Sequence, residues 1–131
     1  MKPIADGYVG RYAVVPEYAH TAEAIGNIGV TVVSTPHLIG FLEMAAHNAL
    51  LAHFDAGEGS VGTRVSIEHV GAAAIGRSVE CEAVVKAVHG RRVEFEVIAR
   101  QNGREIMRGT HERAVILLAP FLERLRAEGA Q

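Results

Sequence analysis

The sequence has no tryptophan, few other aromatic residues and no excess of positive charge. Aromatic residues make up 5% of the chain, so stacking platforms for nucleobases are scarce. The formal net charge of −2 lacks the basic excess that is typical of proteins that bind nucleic acids. We therefore expect no nucleic-acid partner.

Long hydrophobic runs and cysteines are also lacking. No apolar run approaches the roughly 20 residues of a membrane span, and residues 1–7 lack the apolar core of a signal peptide. Cys81 is the single cysteine, which excludes an intrachain disulfide and fits a reducing compartment. We expect a soluble, cytoplasmic protein that does not associate with a membrane.

The remaining composition is that of a globular protein, with 49% hydrophobic and 21% charged residues in a chain of 131. A chain of this size buries roughly 65–70% of the surface that its unfolded state exposes, which is enough for one core. No internal repeat, low-complexity tract or linker interrupts the pattern. The sequence therefore predicts a single domain over residues 1–131.

The hydrophobic pattern changes its period near residue 61. Before that point Thr35 suits a helix N-cap, Pro36 suits the first helical position, and apolar residues recur with helical spacing from Leu38 to Leu50. After it, apolar and polar residues alternate as in strands, with a tight turn at Asn102-Gly103 and a bulge at Gly109. The predicted elements are a strand at 8–15, a loop at 16–29, a short β-branched run at 30–33, the long helix ending in a loop at 55–60, strands at 63–70, 79–87, 93–99 and 104–118, and a terminal helix at 120–128.

The apolar stripe of the long helix is broad, which indicates that the helix is covered on most sides. A meander of consecutive antiparallel strands has one apolar face, and wrapping that face around the helix buries both surfaces. The sequence therefore predicts an α+β hot-dog fold, in which an antiparallel sheet wraps around a long central helix. The alternative is another α+β sheet with the helix packed flat on one face.

Three polar residues stand out as candidates for chemistry. Glu43 borders the apolar stripe of the helix, where a carboxylate needs a partner; the alternative is a rim glutamate that pairs with His47 or points to solvent. His69 continues an apolar face of its strand, although a lone inward histidine is more often a core residue. Thr35 is sufficiently explained as an N-cap, yet its hydroxyl also lies at the positive end of a helix dipole. Together the three side chains suffice for acyl transfer.

These residues need more than one straight helix to meet. Thr35 and Glu43 are about 12 Å apart along the helix axis, so a bend or a second chain across a two-fold axis must complete the site. No histidine or cysteine spacing indicates a metal, and we expect none. Five arginines in the predicted strands and hairpin are either solvated or hold the phosphates of a nucleotide carrier; they are Arg91, Arg92, Arg104, Arg108 and Arg113. Of these we assign Arg113 to substrate binding.

Four sequence blocks, in a similarity that runs from Tyr8 to Leu118, resemble the fluoroacetyl-CoA thioesterase type of hot-dog protein. The blocks are Ser34-Thr-Pro-His-Leu-Ile-Gly-Phe-Leu-Glu-Met-Ala45, Gly57-Glu-Gly-Ser-Val-Gly-Thr63, Ile67-Glu-His69 and Gly109-Thr-His-Glu-Arg-Ala-Val-Ile116. The resemblance implies a homodimer with active sites at the subunit interface. It also implies that Thr35, Glu43 and His69 are catalytic, and that the backbone N–H of Gly62 binds the thioester carbonyl oxygen.

The same resemblance implies the hydrolysis of a small or medium acyl-CoA to a carboxylic acid and coenzyme A, with no cofactor besides the coenzyme A of the substrate. Glu43 either activates water or attacks the thioester directly. The fluoroacetyl-specific enzyme of this family has phenylalanines in a lid before the central helix. This chain has no Phe before Phe41 and has Gly26 and Gly29 in that stretch, so we expect a broader or different acyl group. The alternatives are a non-catalytic acyl-CoA binding or sensing module, and a hydratase or dehydratase on the same fold.

Overall fold

The computed structural model describes residues 1–129, and in that part of the chain five strands form one antiparallel sheet. The elements are β1 (Val9–Val14), α1 (Thr35–Leu51), β2 (Glu58–His69), β3 (Val79–His89), β4 (Arg92–Gln101), β5 (Arg104–Leu117) and α2 (Leu118–Ala127). The spatial order of the strands is β1-β3-β4-β5-β2. Two short 3-10 turns, Tyr18–His20 and Glu23–Ile25, lie between β1 and α1. This topology confirms the predicted α+β hot-dog fold.

The core lies between α1 and the inward face of the sheet. Phe95 and Val85 of the sheet and Leu38 and Leu50 of the helix are almost fully buried there. Gly10 of β1 faces the helix, where an added β-carbon would collide with the carbonyl oxygen of Ala45 and with Ala49. The missing side chain therefore allows β1 and α1 to pack closely, and the small residues of α1 serve the same purpose.

The amino end of α1 differs from the prediction by one residue. Ser34, not Thr35, is the N-cap: its backbone is extended, and its hydroxyl oxygen accepts a hydrogen bond from the backbone N–H of His37 at 3.2 Å. Thr35 is the first helical residue and Pro36 follows it. The Ser-Thr pair offers two adjacent hydroxyls that can cap the helix, and use of the first leaves the hydroxyl of Thr35 free for another partner.

The start of β2 differs from the prediction, and the β-branched run at 30–33 forms no strand. In that run Val33 makes only an isolated bridge with Thr21. β2 begins at Glu58, within the stretch that the glycine pattern had assigned to a loop. Glu58 pairs with Leu117 of β5, so the long partner strand extends β2 through residues that have little strand propensity of their own.

The bulge lies in β2 and not at Gly109. The register between β2 and β5 shifts between Gly62 and Arg64, with Thr63 as the extra residue, whereas Gly109 pairs in register with Ile67. The hairpin between β4 and β5 is as predicted, because Asn102 and Gly103 have positive φ values of 53° and 75°. The bulge interrupts the regular pairing beside Gly62.

One face of β2 is not covered within a single chain. β2 is an edge strand, and α1 packs mainly against β1 and β3 at the other side of the sheet. Val65 is therefore 41% exposed, and His69 is exposed rather than inward as its strand pattern suggested. In the described part of the chain, neither α1 nor any other helix has the length and hydropathy that crossing a membrane requires.

Candidate active site

Two of the three predicted catalytic residues meet at the junction of α1 and β2. The hydroxyl oxygen of Thr35, at the first residue of α1, lies 2.7 Å from Nδ1 of His69, at the last residue of β2. Both residues are exposed. We call them the hydroxyl–imidazole pair; their hydrogen bond orients the imidazole at an accessible surface.

Glu43 lies in a second group, further along α1. Its Oε2 accepts a hydrogen bond from Nη1 of Arg113 at 3.3 Å, and lies 3.9 Å from Nε2 of His111. The Glu43 side chain is 39% exposed, whereas that of Arg113 is only 9% exposed. Glu43 therefore pairs with an arginine of β5 rather than with His47, and it presents an accessible carboxylate beside a buried cation.

Arg113 makes further hydrogen bonds within the protein. Its Nε donates to the hydroxyl oxygen of Ser60 at 2.9 Å, and its Nη2 donates to the carbonyl oxygen of Ser60 at 3.1 Å. Burial lowers the pKa of the Arg113 guanidinium, while the neighbouring Glu43 carboxylate raises it. The contacts of Arg113 in the structure are therefore internal, and its predicted role in substrate binding stays a prediction.

Two histidines complete this group. Nδ1 of His111 lies 2.8 Å from the carbonyl oxygen of Arg64, and Nδ1 of His47 lies 2.9 Å from the hydroxyl oxygen of Ser60. Burial is the main cause that lowers the pKa of each histidine from 6.5, and Arg113 lowers both further. The neutral imidazole is therefore the favoured form of both residues at pH 7. We call this group the carboxylate cluster; its members are Glu43, His47, Ser60, His111 and Arg113.

Gly62 lies directly against the carboxylate cluster. A β-carbon on Gly62 would be 2.5 Å from Oε2 of Glu43, 3.2 Å from Cε1 of His111 and 3.5 Å from Nη1 of Arg113. No other residue type fits without displacing one of these groups. The backbone of Gly62, next to the bulge at Thr63, is thus the part of β2 that lies closest to the carboxylate.

The two groups are separate within one chain. Among residues 1–129, no hydrogen bond joins the hydroxyl–imidazole pair to the carboxylate cluster. Thr35 and Glu43 are eight residues apart on α1, which corresponds to about 12 Å along the helix axis. Proton transfer requires heavy atoms within roughly 3 Å of each other, or one bridging water, so one chain does not bring all three predicted residues together.

An open depression of about 350 Å³ gives access to the carboxylate cluster, and Gly40, Met44 and Glu43 are among its lining residues. A larger groove, of about 500 Å³, lies on the outer face of the sheet between β2 and β3, and Glu43 does not line it. Within residues 1–129, no three His, Cys, Asp or Glu side chains are placed to hold a metal ion.

The residues that surround Glu43 in the carboxylate cluster were largely not predicted from the sequence. His111 was not chosen as a site residue, and Ser60 was assigned to a loop. Alternation along β5 places His111 and Arg113 on the same face, which was a usable signal. The pairing of Ser60 with this face depends on the register between β2 and β5, and a local pattern does not reveal that register.

Three comparisons with known proteins match this chain to the same family over most of its length. The model of a family described as fluoroacetyl-CoA-specific thioesterase matches residues 16–118. The fluoroacetyl-CoA thioesterase of Streptantibioticus cattleyicolor is 36% identical over 115 residues, which are 88% of this chain and 77% of that protein. A solved structure of a fluoroacetyl-CoA thioesterase superposes with a TM-score of 0.91 at 30% identity, covering 96% of this chain and 98% of that one.

A variant of the fluoroacetyl-CoA-specific thioesterase, solved in complex with fluoroacetate and CoA, has a TM-score of 0.85 at 31% identity. The superposition covers 90% of this chain and 99% of that one. The region that the family model matches contains the hydroxyl–imidazole pair, the carboxylate cluster and Gly62.

Proposed function

Because this chain belongs to the fluoroacetyl-CoA-specific thioesterase family, we propose that it hydrolyses the thioester of a small or medium acyl-CoA to a carboxylic acid and coenzyme A. The observation that carries this proposal is the accessible Glu43 carboxylate, held by Arg113 against Gly62. A binding module needs no such carboxylate. Coenzyme A enters as part of the substrate, and the proposed reaction uses no separate cofactor.

The active site that we propose is shared between two copies of the chain. One protomer contributes the hydroxyl–imidazole pair, and its partner contributes Glu43 and Gly62. The separation of about 12 Å along α1 supports this arrangement, because it prevents the groups of one straight helix from meeting. The uncovered face of β2 also supports it, since an edge strand with an exposed Val65 is suited to pairing across a two-fold axis.

In this shared site each group has a chemical task. The backbone N–H of Gly62 polarises the thioester carbonyl, and stabilising the oxyanion in this way contributes a few kcal/mol. Glu43 either removes a proton from the attacking water or attacks the carbonyl carbon itself. The C–S bond then breaks, and His69, oriented by Thr35, supplies the proton that the leaving thiolate takes up. If Glu43 is the nucleophile, water then hydrolyses the anhydride between Glu43 and the acyl group, which releases the carboxylic acid and restores the carboxylate.

A panel of acyl-CoA substrates, followed by release of free thiol, tests the proposed function. We expect turnover of acetyl-, propionyl- or another short acyl-CoA, and a loss of at least about a hundredfold in Glu43→Gln and in His69→Ala. Glu123→Gln is the matched control, because this exposed carboxylate of α2 lies outside the site.

Two outcomes would support the alternative functions instead. Binding of acyl-CoA without thiol release would indicate a binding or sensing module. Loss of the absorbance of a 2-enoyl-CoA without thiol release would indicate a hydratase. Fold alone does not separate these activities.

A further inference from the structure

The carboxylate cluster contains three residues to which the proposed chemistry gives no task. Ser60, His47 and His111 do not contact Glu43 through a hydrogen bond, yet each is joined to the guanidinium of Arg113 directly or through one neighbour. The hydrogen-bond contacts of the two histidines indicate which ring nitrogen of each carries the proton. The inference from these contacts rests on the proposed function, because it concerns how the carboxylate of Glu43 is held.

On one side of Arg113, the donors and acceptors form an ordered chain. A guanidinium can only donate, so the hydroxyl oxygen of Ser60 accepts from Nε of Arg113. Ser60 has one proton of its own, and Nδ1 of His47, 2.9 Å from the hydroxyl oxygen, is the only acceptor among the side-chain contacts of Ser60. We infer that the hydroxyl donates to Nδ1, because the opposite direction leaves the Ser60 proton without a partner, and the neutral His47 then carries its proton on Nε2.

On the other side, His111 has the opposite tautomer. Its Nδ1 lies 2.8 Å from the carbonyl oxygen of Arg64, which can only accept, so Nδ1 carries the proton. Nε2 of His111 is then an acceptor and faces Nη1 of Arg113 at 3.3 Å. This same Nη1 donates to Glu43, also at 3.3 Å.

We propose that Ser60, His47 and His111 are positioning residues, which fix the orientation of the Arg113 guanidinium so that its Nη1 holds the Glu43 carboxylate against Gly62. Arginine has a long side chain with many rotamers, and acceptors on two sides restrict it to one of them. Among residues 1–129, Glu43 is the only carboxylate within 4.0 Å of that guanidinium. Holding a half-exposed carboxylate in one place reduces the reorganisation that the reaction requires.

Steady-state kinetics of Ser60 variants provide the first test. We expect Ser60→Ala to lower kcat by about tenfold or more while KM changes less than about threefold, because the carboxylate acts in the reaction and not in binding. Ser66→Ala is the matched control, since this serine is exposed on the same strand. In an Arg113→Lys background, Ser60→Ala should lower kcat by less than about twofold further, because Ser60 acts through Arg113.

Variants of His47 separate positioning from packing. His47→Asn keeps an acceptor oxygen near the position of Nδ1, and we expect it to retain most of the wild-type kcat. His47→Leu keeps the bulk but removes the acceptor, and we expect a loss like that of Ser60→Ala. Wild-type kcat in Ser60→Ala, or equal kcat in the two His47 variants, would overturn the proposal.

Nitrogen-15 NMR of the histidine rings tests the arrangement without any enzymatic activity. At pH 7.5 we expect His47 to carry its proton on Nε2 and His111 to carry it on Nδ1. A proton on Nδ1 of His47 would contradict the inference whether or not the protein is active. If the wild-type protein hydrolysed no acyl-CoA while both tautomers were as expected, the proposed function would fail and the positioning arrangement would stand.

Discussion

Gly62 has no side chain, and this leaves room for the carboxylate of Glu43 beside β2. The carboxylate of Glu43 lies so close to Gly62 that a β-carbon on residue 62 would be only 2.5 Å from Oε2. The obstructing atom is the far end of a flexible side chain, and not part of the backbone. A larger residue at position 62 is therefore expected to move the carboxylate rather than to disrupt the sheet.

We predict that Gly62→Ala lowers kcat by about tenfold or more and changes the free energy of unfolding by less than about 1 kcal/mol. Rotation of the Glu43 side chain relieves the clash, and this rotation removes the carboxylate from Nη1 of Arg113. Thiol-release kinetics and urea unfolding measure the two effects. Full activity, or a loss of stability as large as that of a core substitution, would contradict this account of Gly62.

At this scale, sequence reasoning found the polar residues that stand out from an apolar pattern. Glu43 and His69 were candidates for that reason, and Thr35 was one because of its place at the start of the helix. The structure joins Thr35 to His69. Ser60 and His47 were not found, because a serine near glycines and a histidine on a helix have ordinary local explanations. Their roles depend on contacts between α1, β2 and β5 that no single segment reveals.

At the scale of elements, α1, β2 and β5 enclose two neutral histidines. Burial lowers the pKa of His111 and of His47 from 6.5. Between the lowered value and 6.5 the unfolded chain binds more protons than the folded chain, so acid favours unfolding. The pKa of Glu58 is also lowered, to about 2, by a backbone N–H and by the amino group of Met1. The stabilisation from Glu58 is lost only as the pH falls below 4.5.

We predict that the free energy of unfolding decreases as the pH falls from 7.5 to 5.5. Over this interval the histidines titrate in the unfolded chain, while the stabilisation from Glu58 is retained. Urea unfolding at the two pH values measures the change, and His47→Asn, which lacks the titrating ring, should show a smaller decrease. A larger free energy of unfolding at pH 5.5 than at pH 7.5 would contradict this prediction.

The elements were predictable to different degrees for physical reasons. The helical pattern of α1 and the Asn102-Gly103 turn are local signals, and both were predicted correctly. The start of β2 at Glu58 and the bulge at Thr63 are imposed by pairing with β5, so they carry no local signal. Residues 30–33 have strand propensity but almost no partner, and propensity alone does not make a strand.

For the whole molecule, the segment before α1 is notable for two glycines, Gly26 and Gly29. An added β-carbon at Gly26 or Gly29 would meet no atom within 4 Å, and both glycines have positive φ values. Ile28, between them, is 82% exposed. Within one chain, neither glycine position therefore offers a side chain that could cover a bound acyl group.

We predict that the protein does not discriminate strongly for fluoroacetyl-CoA over acetyl-CoA. The removal of one apolar group from a pocket changes selectivity by only about 1–3 kcal/mol, and here the phenylalanines of the family's lid are absent. The measurement is kcat/KM for fluoroacetyl-, acetyl-, propionyl- and phenylacetyl-CoA. The values for fluoroacetyl-CoA and acetyl-CoA should differ by less than about a hundredfold. A preference of about a thousandfold or more for the fluorinated substrate would contradict this prediction.

If two copies of the chain share each active site, as we propose, a mixed dimer of two inactive variants regains activity. Glu43→Gln and His69→Ala chains are coexpressed with different affinity tags, and the dimer that carries both tags is isolated. One of its two sites then combines an intact Glu43 with an intact hydroxyl–imidazole pair, and the other site lacks both groups. We predict that this mixed dimer has about half of the wild-type kcat per dimer, although each parent variant is nearly inactive. A mixed dimer as inactive as its parents, or failure of the two chains to associate, would contradict the claim.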